Sequence, residues 1–227
     1  MKTITRIVIL SIFLISAVPG AWAGISENKK VEEAIEVLRE IHAIPERDIP
    51  PALLKYSYGI AVIPGLLKVG FILGGQYGTG VLCIRGQGGQ WSNPVFVRLI
   101  GGSLGWQIGA QSTDIVLVFK SRRSVDAISA GTFTLGADAS VAAGPVGRQA
   151  SAGTDIRLSA EIYSYSRSRG LFAGVSIEGA SLEMDYAAIA DFYNNPQIGA
   201  RDVFENATLP TPRVASELRS LLNEMAR

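Results

Sequence analysis

The stretch from Gly101 to Gly174 constrains the folding of this 227-residue chain more than any other. Short apolar runs alternate there with small residues and are cut at intervals by glycine. Glycine enters positive-φ turn positions without steric penalty, so the pattern predicts short strands joined by tight turns. Residue types that carry out acid–base or nucleophilic chemistry are scarce in it. Arginines instead stand beside aromatics at its end, in Tyr163, Tyr165, Arg167 and Arg169. The stretch reads as a scaffold that holds a ligand rather than one that transforms it.

The ends and the composition narrow the setting. Lys2 and Arg6 precede an apolar run from Ile7 to Val18, Pro19-Gly20 breaks it, and Ala21-Trp22-Ala23 offers small residues to a signal peptidase. The run is about a dozen residues, short of the roughly 20 a spanning helix requires. The expectation is a signal peptide over residues 1–23, cleavage after Ala23, and a periplasmic or envelope-associated product. Gly24 rather than Cys follows the cut, which argues against a lipoprotein. Residues 24–227 are expected to form one domain. The whole chain carries 21 Lys and Arg against 20 Asp and Glu. Loss of Lys2 and Arg6 leaves it near neutral, without the basic excess of a nucleic-acid binder. Affinity for an anionic surface must then come from a local patch. Cys83 is the single cysteine and sits in the apolar run Val81-Leu82-Cys83-Ile84. It can form no internal disulfide and reads as a small buried hydrophobe.

Ser26 to His42 places Val31, Ala34, Ile35, Leu38 and Ile41 on one face of a helix, with four glutamates on the others. Pro45, Pro50 and Pro51 end it, and Ala52 to Tyr56 suggests a short second helix. Gly59–Ile63, Val69–Leu73, Gly80–Arg85 and Val95–Ile100 are strand candidates, separated by Pro64-Gly65, Gly74-Gly75, Gly86–Gly89 and Gly101-Gly102. Ile115 to Phe119 suggests a buried central strand. Ser121 to Ala130 reads as a helix closed by a left-handed Gly131. Strands are expected again at Thr132–Leu135, near Ser140–Ala142, at Asp155–Tyr165 and at Leu171–Ile177. A helix over Tyr186–Asn194 follows. A last helix is capped by Thr211, with Pro212 in its first turn and Val214, Leu218, Leu221, Leu222 and Met225 on one face. The fold class is α+β: one domain, with a Gly-rich, mostly antiparallel sheet or partly closed barrel packed by N-terminal, middle and C-terminal helices.

Catalytic patterns fail one after another. Gly101-Gly102-Ser103-Leu104-Gly105 matches G-x-S-x-G, but a serine nucleophile needs a base. The one histidine, His42, lies upstream of it. A structural turn is the better reading, and the protein is read as non-enzymatic. His42 suits a helix C-terminus. One His and one Cys fall short of a zinc site, so no metal or other cofactor is expected. Asp114, Asp138 and Asp155 follow small-residue turns and read as capping groups. The glycine runs at Gly74–Gly80 and Gly86–Gly89 lack the Gly-Lys-Ser/Thr ending of a phosphate loop and read as hairpin turns.

The basic-aromatic run is the stronger candidate. In a regular strand Tyr163, Tyr165, Arg167 and Arg169 project together, with serines opposite. Guanidiniums bind phosphate oxygens bidentately, and tyrosine suits a membrane interface. Arg148 and Lys68 are further candidate contributors. The alternative is a solvated strand end or a buried Arg–Asp structural pair.

With these motifs assembled, the chain resembles the SYLF-domain family, the lipid-binding domain also called the yeast actin-patch regulator domain. The resemblance runs from about Tyr56 to Tyr193. It is carried by Gly59-Ile60-Ala61-Val62-Ile63-Pro64, Gly70-Phe71-Ile72-Leu73-Gly74-Gly75, Gly109-Ala110-Gln111-Ser112-Thr113-Asp114, the run Gly136–Arg148 and the run Tyr163–Gly174. It implies binding of anionic phospholipids, phosphoinositides among them in eukaryotic members, some of which bind actin filaments. It also implies an exported product for bacterial members. No SH3 or FYVE partner domain accompanies it, so an actin-type partner is not expected. The N-terminal helix is acidic, which speaks against electrostatic docking by that helix. The resulting expectation is a non-catalytic, peripheral phospholipid-binding protein of the bacterial envelope. Its headgroup ligands would be Lys68, Arg148, Tyr163, Tyr165, Arg167 and Arg169. The rival is an envelope protein-interaction module without lipid preference.

Overall fold

Helix α1 (Ala23–His42) forms where the three-and-four spacing places it. Val31, Ala34, Ile35, Leu38 and Ile41 are buried on it, joined by Val37. The computed structural model describes residues 23–46, 48–86, 88–131, 133–146, 159–168, 177–206 and 208–227. The leader up to residue 22, together with Arg148 and Arg169, lies outside them. Helix α2 (Pro51–Lys55) follows, with proline in its first turn and Leu53 and Leu54 buried.

The next 61 residues depart from the expected series of short strands. Strand β1 runs unbroken from Gly59 to Ile84 and β2 from Val95 to Phe119. They pair antiparallel from Gly59↔Phe119 to Leu82↔Val95. Of the four expected interruptions, only Gly86–Gly89 is a turn, closed by a bridge between Arg85 and Trp91. Pro64-Gly65 is a β-bulge, with Gly65 at φ 59°. Gly74-Gly75 and Gly101-Gly102 lie inside the ladder, with Gly75 opposite Gly102. None of them reverses the chain, and Gly101 admits a close approach: a methyl there would run into Ala180 and the Gln76 amide. The ribbon doubles over at its middle, so β1 meets itself: a methyl on Gly78 would run into Ile63 and Leu66, and one on Gly80 into the Val62 carbonyl. At the open end the Arg85 N–H donates to the Tyr58 carbonyl at 2.8 Å and ties the two ends together.

The other edge of β2 serves two partners. Its start, Val97–Ile100, pairs with β6 (Ser181–Met184), and its end, Thr113–Phe119, pairs with β5 (Ile162–Ser168). Outside these lie β3 (Phe133–Thr134) on β6 and β4 (Val141–Ala143) on β5. Among the described residues the sheet has six strands in the order β3-β6-β2-β5-β4, with β1 added on β2, and of its strand pairings only β4–β5 is parallel. The α+β class and the mostly antiparallel, curled sheet are as the sequence predicts.

Ile115 to Phe119 are almost completely enclosed, the expected central strand. Helix α3 (Arg122–Ala130) follows, but Gly131 ends it at φ 157° rather than in the left-handed region. Helix α4 (Tyr186–Phe192) is capped by the Asp185 carboxylate, which accepts from the Ala188 N–H. Two elements were not anticipated: β6 and the short α5 (Ala200–Glu205). Helix α6 (Arg213–Met225) starts one residue later than expected, with Pro212 itself at the cap position. It buries all five predicted apolar residues and packs against α1.

Candidate functional site

Strand alternation places Tyr163, Tyr165 and Arg167 on one face of β5, opposite Val118, Val116 and Asp114 of β2. That face is largely enclosed. Tyr163 and Tyr165 are 4% and 5% exposed. The Ala160 N–H donates to the Tyr163 hydroxyl at 3.2 Å, and the Tyr165 hydroxyl donates to the Pro145 carbonyl at 3.1 Å. The Tyr165 ring lies so close to Gly144 that any side chain there would overlap it. Burial raises both phenol pKa values above their ordinary range. The two rings are therefore packed and bonded within the fold rather than offered at a surface.

Arg167 is held as tightly. Its Nε and Nη2 donate to Asp114 Oδ2 at 3.1 and 2.8 Å, and Nη2 also pairs with Glu40 of α1. The other Asp114 oxygen accepts from the Gly65 N–H at 2.8 Å, at the bulge of β1. One cluster thus joins α1, β1, β2 and β5. Burial pulls the Arg167 pKa down, but the hydrogen bonds and charges of Asp114 and Glu40 outweigh it and the net shift is upward. Two carboxylates already balance this guanidinium, so a phosphate would have to displace Asp114 to bind it. Asp114 itself is a buried ion-pair partner rather than the turn cap its sequence context suggested. Asp138 does cap a turn, accepting from the Thr134 N–H at 2.7 Å.

Beyond the cluster the same face continues through Ser112 of β2 to its partner Leu67, and through Ala110 to Val69. Leu67 and Val69 are 46% and 45% exposed, whereas Ile60, Val62, Ile63, Leu66, Val81 and Leu82 of the same strand are buried. Lys68 stands between them in sequence, on the opposite face, and is half-buried. Ser168, the end of β5, lies in one cross-strand row with Thr113 and Leu66. Two strand spacings, about 10 Å, separate Ser168 from Leu66, so β5 ends beside the Leu67–Val69 segment. The structure therefore separates the predicted residues. Tyr163, Tyr165 and Arg167 are fixed inside the fold, Lys68 lies at its margin, and Arg148 and Arg169 lie outside the described residues.

Ser103 lies in the middle of β2, paired with Gly74, in neither a strand-to-helix elbow nor a turn. His42 Nδ1 lies 2.9 Å from Asp48. Cys83 is fully enclosed, and burial pushes its thiol up to about 12. Among the described residues no group of three His, Cys, Asp or Glu side chains is placed to hold a metal ion.

Comparison with known proteins supplies the relationship. Residues 100–225 match the family model Ysc84, described as Las17-binding protein actin regulator. The chain is 34% identical to SH3 domain-containing YSC84-like protein 1 of Xenopus laevis over 204 residues, covering 87% of this chain and 59% of that protein. It is 35% identical to LAS seventeen-binding protein 3 of Saccharomyces cerevisiae over 201 residues, 86% of this chain and 43% of that one. Protein YSC84 of the same yeast is 37% identical over 175 residues, 75% of this chain and 37% of its own length. The chain thus spans between about a third and three fifths of the length of these relatives.

Proposed function

Because this chain belongs to the Ysc84 family, we propose that it is a non-catalytic module that docks peripherally on anionic phospholipid at the cell envelope. The family supports a binding rather than an enzymatic role, since the relatives are named for what they bind or regulate. The envelope setting rests on the leader pattern in residues 1–23, and the lipid class on the SYLF resemblance. Among the described residues no helix is long and apolar enough to cross a membrane, which accords with docking by a local surface.

The observation that carries the reading is the pair of exposed aliphatic side chains Leu67 and Val69 near the doubled end of the ribbon, with half-buried Lys68 between them in sequence on the other face of the strand. Two aliphatic side chains there meet solvent, and the long stem of Lys68 leaves from the other face at the margin of the sheet. Such a tip can enter the acyl boundary while the ammonium stays with phosphates. Arg148 and Arg169 are the remaining candidate headgroup ligands. Arg167 joins them only if its pairing with Asp114 opens.

Co-sedimentation with vesicles of phosphatidylglycerol or cardiolipin against phosphatidylcholine tests the reading. Preferential pelleting with the anionic vesicles, reduced at least fivefold by Leu67→Asp with Val69→Asp, is expected. Equal and negligible pelleting with all three would overturn it. A second reading, a protein-interaction module, has support in the relatives named for binding Las17. It predicts a protein crosslinked in intact cells and no lipid preference.

A further inference from the structure

At the end of the ribbon away from Leu67 and Val69, the β1–β2 turn, α3, α5 and α6 surround a cleft of about 800 Å³. Four arginines line it, Arg85, Arg122, Arg201 and Arg219, against two acids, Asp126 and Glu205. They come from four separate elements, so no sequence window contains them.

Two of the arginines lack a carboxylate partner among the described residues, and one of them, Arg85, is held rigidly. Arg85 donates from Nη1 to the Gly89 carbonyl at 2.6 Å, from Nη2 to Leu54 at 2.9 Å and from Nε to Ser57 at 3.2 Å. Its guanidinium lies 4.2 Å from the centre of the Trp91 ring. All these partners are neutral, so its charge is held in place and not cancelled. Arg219, half-buried on α6, approaches only the Ser216 hydroxyl, at 3.5 Å, and its Nε has no hydrogen-bond partner among the described residues. Half-buried cations without counter-charges raise the energy of the empty protein and favour an anion.

The other two arginines are available at the rim. Arg122 and Arg201 are 60% and 84% exposed, and their helix neighbours Asp126 and Glu205 stand at 3.9 and 4.0 Å. Pairs this long and this exposed contribute little and exchange readily for another anion. The wall carries a second sign of a ligand. Asn93 is 2% exposed and neither polar atom of its amide finds a partner among the described residues, and the Trp91 N–H, at 3% exposure, is likewise unpaired. Unpaired polar groups at this depth are uncommon in native folds.

We propose that this cleft binds a phosphate ester of headgroup size, with Arg85 and Arg219 supplying positive charge not taken up by a carboxylate and Arg122 and Arg201 closing on the phosphate oxygens. The volume fits such a ligand. Guanidiniums match phosphate geometry better than any other side chain. The same chemistry is offered by a lipid headgroup and by a soluble ester. The site goes beyond the membrane-docking reading, because binding of the soluble ester requires no membrane.

The test titrates the full protein with glycerol 3-phosphate by calorimetry while following the fluorescence of Trp91 in the wall. Saturable binding that weakens with salt is expected. Arg122→Glu with Arg201→Glu, both at exposed positions, should weaken it at least tenfold with unchanged circular dichroism, while Arg122→Lys with Arg201→Lys retains most of it. Leu67→Asp with Val69→Asp should leave it unchanged. Absence of saturable binding to the wild type, or undiminished binding by the charge-reversed variant, overturns the proposal. Phosphatidylglycerol vesicles separate the sources: a parallel loss of pelleting in the charge-reversed variant assigns the cleft to a lipid headgroup, and unaltered pelleting assigns it to a soluble ester. Failure of the wild type to pellet with any vesicle strikes the membrane reading alone.

Discussion

Replacing Asp114 by alanine is the sharpest test of the account of Arg167. The carboxylate is 5% exposed and receives three hydrogen bonds, two from the Arg167 guanidinium and one from the Gly65 N–H. Removing one partner of a buried ion pair is destabilising by about 3–5 kcal/mol. Arg167 keeps Glu40 and is itself 21% exposed, which moves its share toward the low end. The stranded Gly65 donor adds about 1 kcal/mol. The expected loss is thus about 3–4 kcal/mol. Asp114→Asn preserves shape and the acceptor for Gly65, so its loss should be about half as large. Urea unfolding followed by circular dichroism reads both, provided the slope of free energy against denaturant is unchanged. A double-mutant cycle with Arg167→Met should return a coupling of at least about 1 kcal/mol. A loss below about 0.5 kcal/mol for Asp114→Ala, or a coupling near zero, would refute the view that this cluster holds four elements together. It would also return Arg167 to the pool of cations free to bind phosphate.

Three further outcomes follow from the packing. Gly80→Ala should abolish soluble expression, because its methyl would overlap the Val62 carbonyl where the ribbon crosses itself; a folded variant with near-native Tm would contradict the crossing. Asp185→Ala should lower stability by about 1 kcal/mol through loss of the α4 cap, read by thermal unfolding. The third concerns alkaline pH. Cys83 has its thiol raised from 9.0 to about 12 by burial, so the folded state retains a proton that the unfolded chain releases. Its contribution is complete below pH 9 and is lost as pH rises toward 12, at up to about 1.4 kcal/mol per unit. Cys83→Ala should flatten the fall in stability between pH 9 and 10, before the buried tyrosines add theirs, and an unchanged slope there would rule the thiol out.

Much of the fold was legible because its signals are local. The spacing of Val31, Leu38 and Ile41 in α1 and of Val214, Leu218 and Leu222 in α6 states a helix face directly. The unbroken run Ile115–Phe119 states a central strand. The glycines misled, since their sequence signature is the same whether they turn the chain or admit a crossing strand. Gly78 and Gly80 are fixed by contacts with Ile63, Leu66 and Val62, some 15 residues away, and no local window contains that information. β6 escaped notice for a related reason: Ser181-Leu182-Glu183-Met184 is four residues long and is a strand only because β2 and β3 flank it.

The distribution of arginines carries the same lesson into function. Arg167 stood out because it sits beside tyrosines in a strand, yet strand alternation turned it toward the face that α1 covers, where Glu40 and Asp114 were waiting. Adjacency in sequence guarantees a shared environment, and here that environment is the interior. Arg85, Arg122, Arg201 and Arg219 have no such adjacency, and each alone reads as an ordinary surface cation. They meet because the β1–β2 turn, α3, α5 and α6 close around one volume. Two of them, Arg85 and Arg219, reach that volume without a carboxylate partner among the described residues, which is the basis for proposing them as binding groups. A chain with almost no net charge can therefore carry a locally cationic cleft, here four arginines against Asp126 and Glu205, while other acids such as Glu40 and Asp114 are taken up by Arg167.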